Sequence, residues 1–228
     1  MRFGKIAYLN LLPFDVFIKA YPLPLSGFKT FLHLRKTYPA KLNRDFLFRR
    51  IDAGFISSIA SLRAPHALDC GIVACQEVRS VLVVYQLPST DKESATSNAL
   101  AQVLNLRGRV LIGDKALRHY YHAPCPNFDD LATLWWTKTH LPFVFGRFCA
   151  NKHRDLYERI ARAFKNKKIK IPHYVLQKRA LESGFSRAQI LDYLKYISYN
   201  IRPKEHQSLK RFARVLLFKS IKTPKRFF

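Results

Sequence analysis

The chain has 228 residues, 48% hydrophobic and 14% aromatic, with a formal net charge of +25. That length supports one large domain or two small lobes with their own cores, and the aromatic content without any low-complexity tract excludes a disordered chain. The longest apolar runs, such as residues 81–85, fall far short of the ~20 residues a membrane helix needs, and no apolar leader core follows Met1, so a cytoplasmic protein is expected.

Residues 5–9 read as a buried strand that runs into Asn10. Residues 41–50 read as a short helix with Asn43 as its cap, and 52–56 as a second strand leading to Ser57 and Ser58. Residues 71–75 and 79–87 are further strands, the latter apolar and β-branched. Continuous apolar strands with helices between them imply a covered, mostly parallel sheet. Ser94 to Ser97 place hydroxyls in the first turn of a helix that runs to Leu104. A strand over 109–114 ends in Gly113-Asp114. Asp129 is expected to cap a helix carrying Trp135 and Trp136, and 142–146 is another strand. The rest reads as helical: 153–167 with Leu156, Ile160 and Phe164 on one face, 174–183 ending at Gly184, a capping box at Ser186 and Gln189, and 203–217.

This order suggests two α/β lobes: residues 1–86 completed by 146–228, and an inserted lobe over 87–145. The strands at 79–87 and 142–148 would cross between them. That is the layout of a type II solute-binding protein, with the ligand in the interlobe cleft. In open α/β sheets ligands bind outside the carboxyl ends of strands. Asn10 and Ser57-Ser58 therefore stand as two walls of one small-molecule site.

Cys70, Cys75, Cys125 and Cys149 show neither a CxxC pair nor metal-type spacing with histidine. They are expected to be reduced, with Cys70 and Cys75 packing around a strand. No metal site and no phosphate-cradling glycine loop is apparent. Residues 145–228 hold 22 Lys/Arg against 5 Asp/Glu. These charges fall on the polar faces of helices and accompany no nucleic-acid motif. They read as a solvated surface that steers an anionic substrate, with no nucleic-acid partner and no membrane insertion.

Eight segments, in order and spanning nearly the whole chain, resemble the chorismate dehydratases of the futalosine route to menaquinone. They are GKIAYLNLLPF (4–14), PAKLN (39–43), IDAGFISSIAS (51–61), GIVACQEVRSVLVV (71–84), SATSNAL (94–100), VLIGDKAL (110–117), LPFVFGRF (141–148) and YLKYISYNI (193–201). Two positions depart from the family pattern: residues 76–79 replace a glycine-rich turn, and Ala95 stands where a basic residue is usual. The resemblance implies a two-lobed periplasmic-binding-protein-like fold with a helical C-terminal segment, and catalysis without metal or organic cofactor. It also implies a reaction that takes water from chorismate to give 3-[(1-carboxyvinyl)oxy]benzoate. The alternatives are the sister enzyme that forms dihydroxynaphthoate late in the same route and a non-catalytic receptor for a small carboxylate.

Chorismate carries two carboxylates, and a helix N-terminus is an anion site. Ser94, Thr96 and Ser97 are therefore assigned to one carboxylate. Ser57, Ser58 and Ser80 are assigned to the ring or the other carboxylate. Asn10 is expected to hydrogen-bond the reacting region. Glu77 and Asp114 are the two acids at cleft-like positions, Glu77 with a weak catalytic assignment and Asp114 grouped with the binding residues. A carboxylate of the substrate could itself act as the base.

Overall fold

The computed structural model describes residues 1–22, 33–123 and 127–224. Cys125 lies outside the described residues. The chain opens with β1 (Arg2–Ile6), then a single 3-10 turn over Leu9–Leu11 that carries Asn10. This turn runs straight into α1 (Leu12–Ala20), whose first turn holds Pro13, where a missing N–H costs nothing. There follow β2 (His33–Thr37), α2 (Pro39–Leu47), β3 (Ala53–Ser57), the one-turn α3 (Ser58–Ser61) and β4 (His66–Ala74). A second group comprises β5 (Val81–Val84), α4 (Ala95–Val103), β6 (Arg109–Ile112), α5 (Gly113–His122), β7 (Phe128–Asp130) and α6 (Leu131–Thr139). The chain then returns with β8 (Phe143–Ala150), α7 (Arg154–Lys165), α8 (His173–Ser183), α9 (Arg187–Leu194), β9 (Ile197–Asn200) and α10 (Pro203–Phe218).

The strands form two sheets, ordered β2-β1-β3-β8-β4-β9 and β6-β5-β7. The expectation of mostly parallel sheets is corrected here. Only β2, β1 and β3 run parallel. β8 is antiparallel to both β3 and β4, β9 is antiparallel to β4, and the small sheet is antiparallel throughout. An apolar run records that both faces of a strand are covered, and β8 is covered equally well running backwards between β3 and β4. The strand expected over 79–87 is the shorter β5, and it belongs to the small sheet. The links between the sheets are therefore the irregular residues 75–80 and 140–142.

Local signals account for most element ends. Gly184 closes α8 in the left-handed region at φ +77°, where its missing Cβ matters for conformation alone because nothing lies within 4 Å of one. Ser186 and Gln189 make the reciprocal capping box, at 3.1 and 2.8 Å. Two capping assignments move. Asp130, not Asp129, caps α6, accepting from the N–H groups of Ala132 and Thr133 at 2.8 and 3.1 Å, because β7 runs on through Asp129. Asn43 lies inside α2, which Pro39 starts.

An aromatic cluster of Phe3, Phe14, Phe55, Phe148, Tyr157 and Phe164 fills the large lobe, with edge-on pairs such as Phe14–Phe55 at 4.9 Å and Phe3–Phe148 at 5.2 Å between centroids. Cys70 and Cys149 are buried in this core, which pushes both thiols up to about 12 and leaves them inert. Cys75 is exposed, so it does not pack as expected. Among the described residues no helix is long and apolar enough to cross a membrane.

Candidate functional site

The first turn after β1, the end of β3, residue 80 before β5, and the starts of α4 and α5 meet at one small cavity between the two sheets. Its lining includes Asn10, Ser57, Ser80, Ser94 and Ser97, together with Tyr8 and Gly113. Ile6, Ile72, Val81, Ile112 and Phe145 supply apolar walls. The cavity holds about 40 Å³, room for a few water molecules at most. Among the described residues, no carboxylate, imidazole, ammonium or guanidinium group is among the lining side chains.

The hydroxyls are set up as donors. Ser57 Oγ accepts from Asn43 Nδ2 at 2.6 Å, and Asn43 Oδ1 in turn accepts from the Ser57 N–H at 2.9 Å. Ser80 Oγ accepts from the Tyr193 hydroxyl at 2.9 Å. Ser97 Oγ accepts from the Ser94 hydroxyl at 2.8 Å, while Ser94 Oγ also caps the Ser97 N–H. Each of the three serines thus has its acceptor role filled by a buried neighbour and keeps its own proton for the cavity. Asn10 Oδ1 is the complement: it is buried and has no hydrogen-bond partner among the described residues. Such an orphan is costly unless a ligand meets it.

Three helix N-termini face the same space, those of α2 at Pro39, α4 at Ser94 and α5 at Gly113. Their aligned peptide dipoles make the site attractive to an anion with no charged side chain present. Gly113 sits at φ +61°, and a Cβ there would strike the Tyr8 ring. Tyr8 lies flat against this bare backbone and donates to Glu93 Oε2 at 2.7 Å, so one lobe closes on the other. Burial, aided by Glu93, pushes the Tyr8 phenol upward and keeps it protonated.

Four expected site residues do not reach the cavity. Ser58 Oγ lies 3.4 Å from Thr96 Oγ1, which accepts from the Ile59 N–H at 3.2 Å. This pair ties α3 to α4 behind the site. Asp114 turns to the Leu9 N–H at 3.4 Å, and burial raises its carboxyl above the usual range. Glu77 pairs with Arg79 Nη2 at 3.0 Å on the outer side of residues 75–80. Asn43, Tyr193 and Tyr8 were missed by sequence reading. Asn43 had a signal, since it stands in the PAKLN segment, but as a supposed cap it was given no role in a site.

A family model described as menaquinone biosynthesis matches residues 1–109 and 104–217. A chorismate dehydratase of Campylobacter jejuni is 46% identical over 94% of this chain and 96% of its own. Another of Thermus thermophilus is 26% identical over 93% of this chain and 94% of its own. Among solved structures, a protein of Archaeoglobus fulgidus superposes with a TM-score of 0.71 at 13% identity, covering 97% of this chain and 98% of that one. The alkanesulfonate-binding protein of Xanthomonas axonopodis pv. citri, bound to MOPS, gives 0.60 at 12% identity, over 99% of this chain and 94% of that one. The structural likenesses establish a two-lobed periplasmic-binding-protein-like fold. With the family model covering residues 1–217 in order, the chain belongs to the menaquinone-biosynthesis family.

Proposed function

We infer that this protein removes water from chorismate to give 3-[(1-carboxyvinyl)oxy]benzoate, a cytoplasmic step of menaquinone biosynthesis. The observation that carries the reading is the cavity itself, with three serine hydroxyls held as donors, three helix N-termini and one orphaned amide oxygen. Full-length identity of 46% to a chorismate dehydratase supports it.

In the reaction the C–H bond at the ring carbon bearing the ether breaks, and its electron pair becomes a ring π bond. The neighbouring C–OH bond breaks, and hydroxyl and proton leave as water. Aromatisation drives the step, so the protein's task is orientation and stabilisation of developing charge. Among the described residues, Tyr8 is the one ionisable side chain in the lining and is held protonated. The base is then a carboxylate of the substrate, placed over the ring by Ser57, Ser80 and Ser97. Asn10 meets the reacting edge.

Incubation of the protein with chorismate should yield a product lighter by one water in the mass spectrum. Chorismate returned unchanged would make the protein a carboxylate receptor and overturn the reading. Two variants separate grip from scaffold. Ser97→Ala removes one hydroxyl donor to a carboxylate, a charge-assisted bond worth about 1.5–3 kcal/mol, and should raise KM at least tenfold with the fold intact by circular dichroism, although the Ser94 hydroxyl loses its acceptor. Thr96→Val leaves the buried Ile59 N–H unpaired, which should cost about 1–3 kcal/mol in urea unfolding with KM unchanged. Salt gives a further check. Because the cavity lining is uncharged, the +25 surface can act only on substrate capture. Raising ionic strength should lower kcat/KM and leave kcat in place.

A further inference from the structure

The cavity draws its lining from both groups of elements, Ser57 and Ile72 from one and Ser80 and Ile112 from the other, so a ligand gripped by both enters and leaves as the lobes part and close. Both chain crossings between the sheets carry a non-glycine residue in the left-handed region: Arg79 at φ +58° in the first and His140 at φ +55° in the second. Such a residue is held against the steric cost of placing a Cβ in that region. At His140 this geometry ends α6, its N–H bonding the Trp136 carbonyl at 2.7 Å. At Arg79 no helix ends, and the backbone is pinned instead by Asp130 Oδ2, which accepts from the N–H groups of Val78 and Arg79 at 2.9 and 2.6 Å.

The Arg79 side chain reaches into both groups of elements. Its guanidinium bonds Asp192 Oδ2 at 2.6 Å and the Tyr196 hydroxyl, and stacks over the Tyr196 ring with 3.8 Å to the centroid. Those residues lie on and just after α9, which packs on α8 and the Leu9–Leu11 turn and leads into β9 of the large sheet. On the other side Arg79 covers the Tyr120 ring of α5 at 5.1 Å. Its Nε is buried without a partner among the described residues. A side chain chosen for stability alone would not combine a strained backbone with an orphaned donor, and such departures concentrate at functional elements. The next residue is Ser80, whose carbonyl accepts from the Gly113 N–H at 2.8 Å and whose hydroxyl faces the cavity.

We propose that Arg79 is the positioning residue of cleft closure: its backbone is one of two hinge points, and its guanidinium latches α5 to α9 when the lobes close, setting Ser80 and Gly113 at the cavity. This rests on the reading that the cavity takes chorismate. Arg79→Lys keeps the charge but loses the planar fork and the stacking. The test is hydrogen–deuterium exchange of the whole protein without ligand, alongside kinetics on chorismate. The Gly113 amide in Arg79→Lys should exchange at least tenfold faster than in the wild type, with amides of β3 and β8 unchanged. KM for chorismate should rise about tenfold, with kcat falling less than threefold. A Gly113 amide that exchanges as in the wild type overturns the latch. If Arg79→Lys loosens the β3 and β8 amides too, Asp192→Asn and Tyr196→Phe decide by the same two readings. Failure of the wild type to dehydrate chorismate would sink the function and leave the exchange result to judge the hinge.

Discussion

Asn10→Ala is expected to lower kcat by about 10²-fold, the scale set by losing one well-placed polar group in a dry site, with KM changed less than threefold. The amide sits in a one-turn 3-10 segment held from both sides. The Tyr199 hydroxyl donates to the Asn10 carbonyl at 2.6 Å, and the Leu9 N–H donates to Asp114. The backbone is thus fixed without help from the side chain, so truncation should leave the fold intact by circular dichroism. Removing the buried, unpartnered Oδ1 should even raise the melting temperature slightly. A stability gain paired with a loss of turnover is the signature of a group kept for chemistry. A well-folded Asn10→Ala enzyme with wild-type kcat would reduce Asn10 to a turn residue.

The largest effect on stability is expected at Asp15. Its carboxylate forms an ion pair with Lys5, which is 1% exposed on β1, and lies 3.7 Å from Lys36 Nζ. Burial, reinforced by Lys36 and Arg179, pushes the Lys5 ammonium below its ordinary range. Taking away its partner leaves a buried amine with no counter-charge and like charges around it. Asp15→Ala should cost about 3–5 kcal/mol, as broken buried pairs do. The double variant Lys5→Met with Asp15→Ala should recover most of that, because an apolar chain of similar length fills the same space. Denaturant unfolding of the four proteins in the cycle measures the coupling. Additive losses would mean that the two groups stabilise the fold separately.

The pair also matters for the site, since it fastens β1 to α1 on either side of Asn10. None of that was legible in the sequence, where Lys5 and Asp15 are ordinary charges. What was legible is the set of cavity hydroxyls that lie at the end of an apolar strand, just before one, or at a helix start: Ser57, Ser80, and Ser94 with Ser97. The immediate neighbours Ser58 and Thr96 were read the same way and face elsewhere, because one step along a turn or helix redirects the side chain by about 100°. The place of Glu77 and Asp114 in the chain points to the cleft, yet Arg79 and the Leu9 N–H take them. The polarising partners are long-range facts. Tyr193 reaches Ser80 across 113 positions, and no local pattern announces it. The succession of strands and helices was readable from the sequence pattern. The strand directions were not, because hydrophobic pattern encodes burial and carries no polarity.

That reversed strand has a consequence for how the chain is made. β8 pairs with both β3 and β4 in the interior of the six-stranded sheet, yet it comes from residues 143–150. A chain emerging from the ribosome presents β3 and β4 long before the strand that separates them exists. Each then carries an unpaired, apolar edge, the kind of surface on which nascent chains stick to one another. The small sheet, drawn wholly from residues 81–130, can complete itself in that interval. The middle of the gene product is therefore ready first, and its beginning waits, in need of protection, for its end.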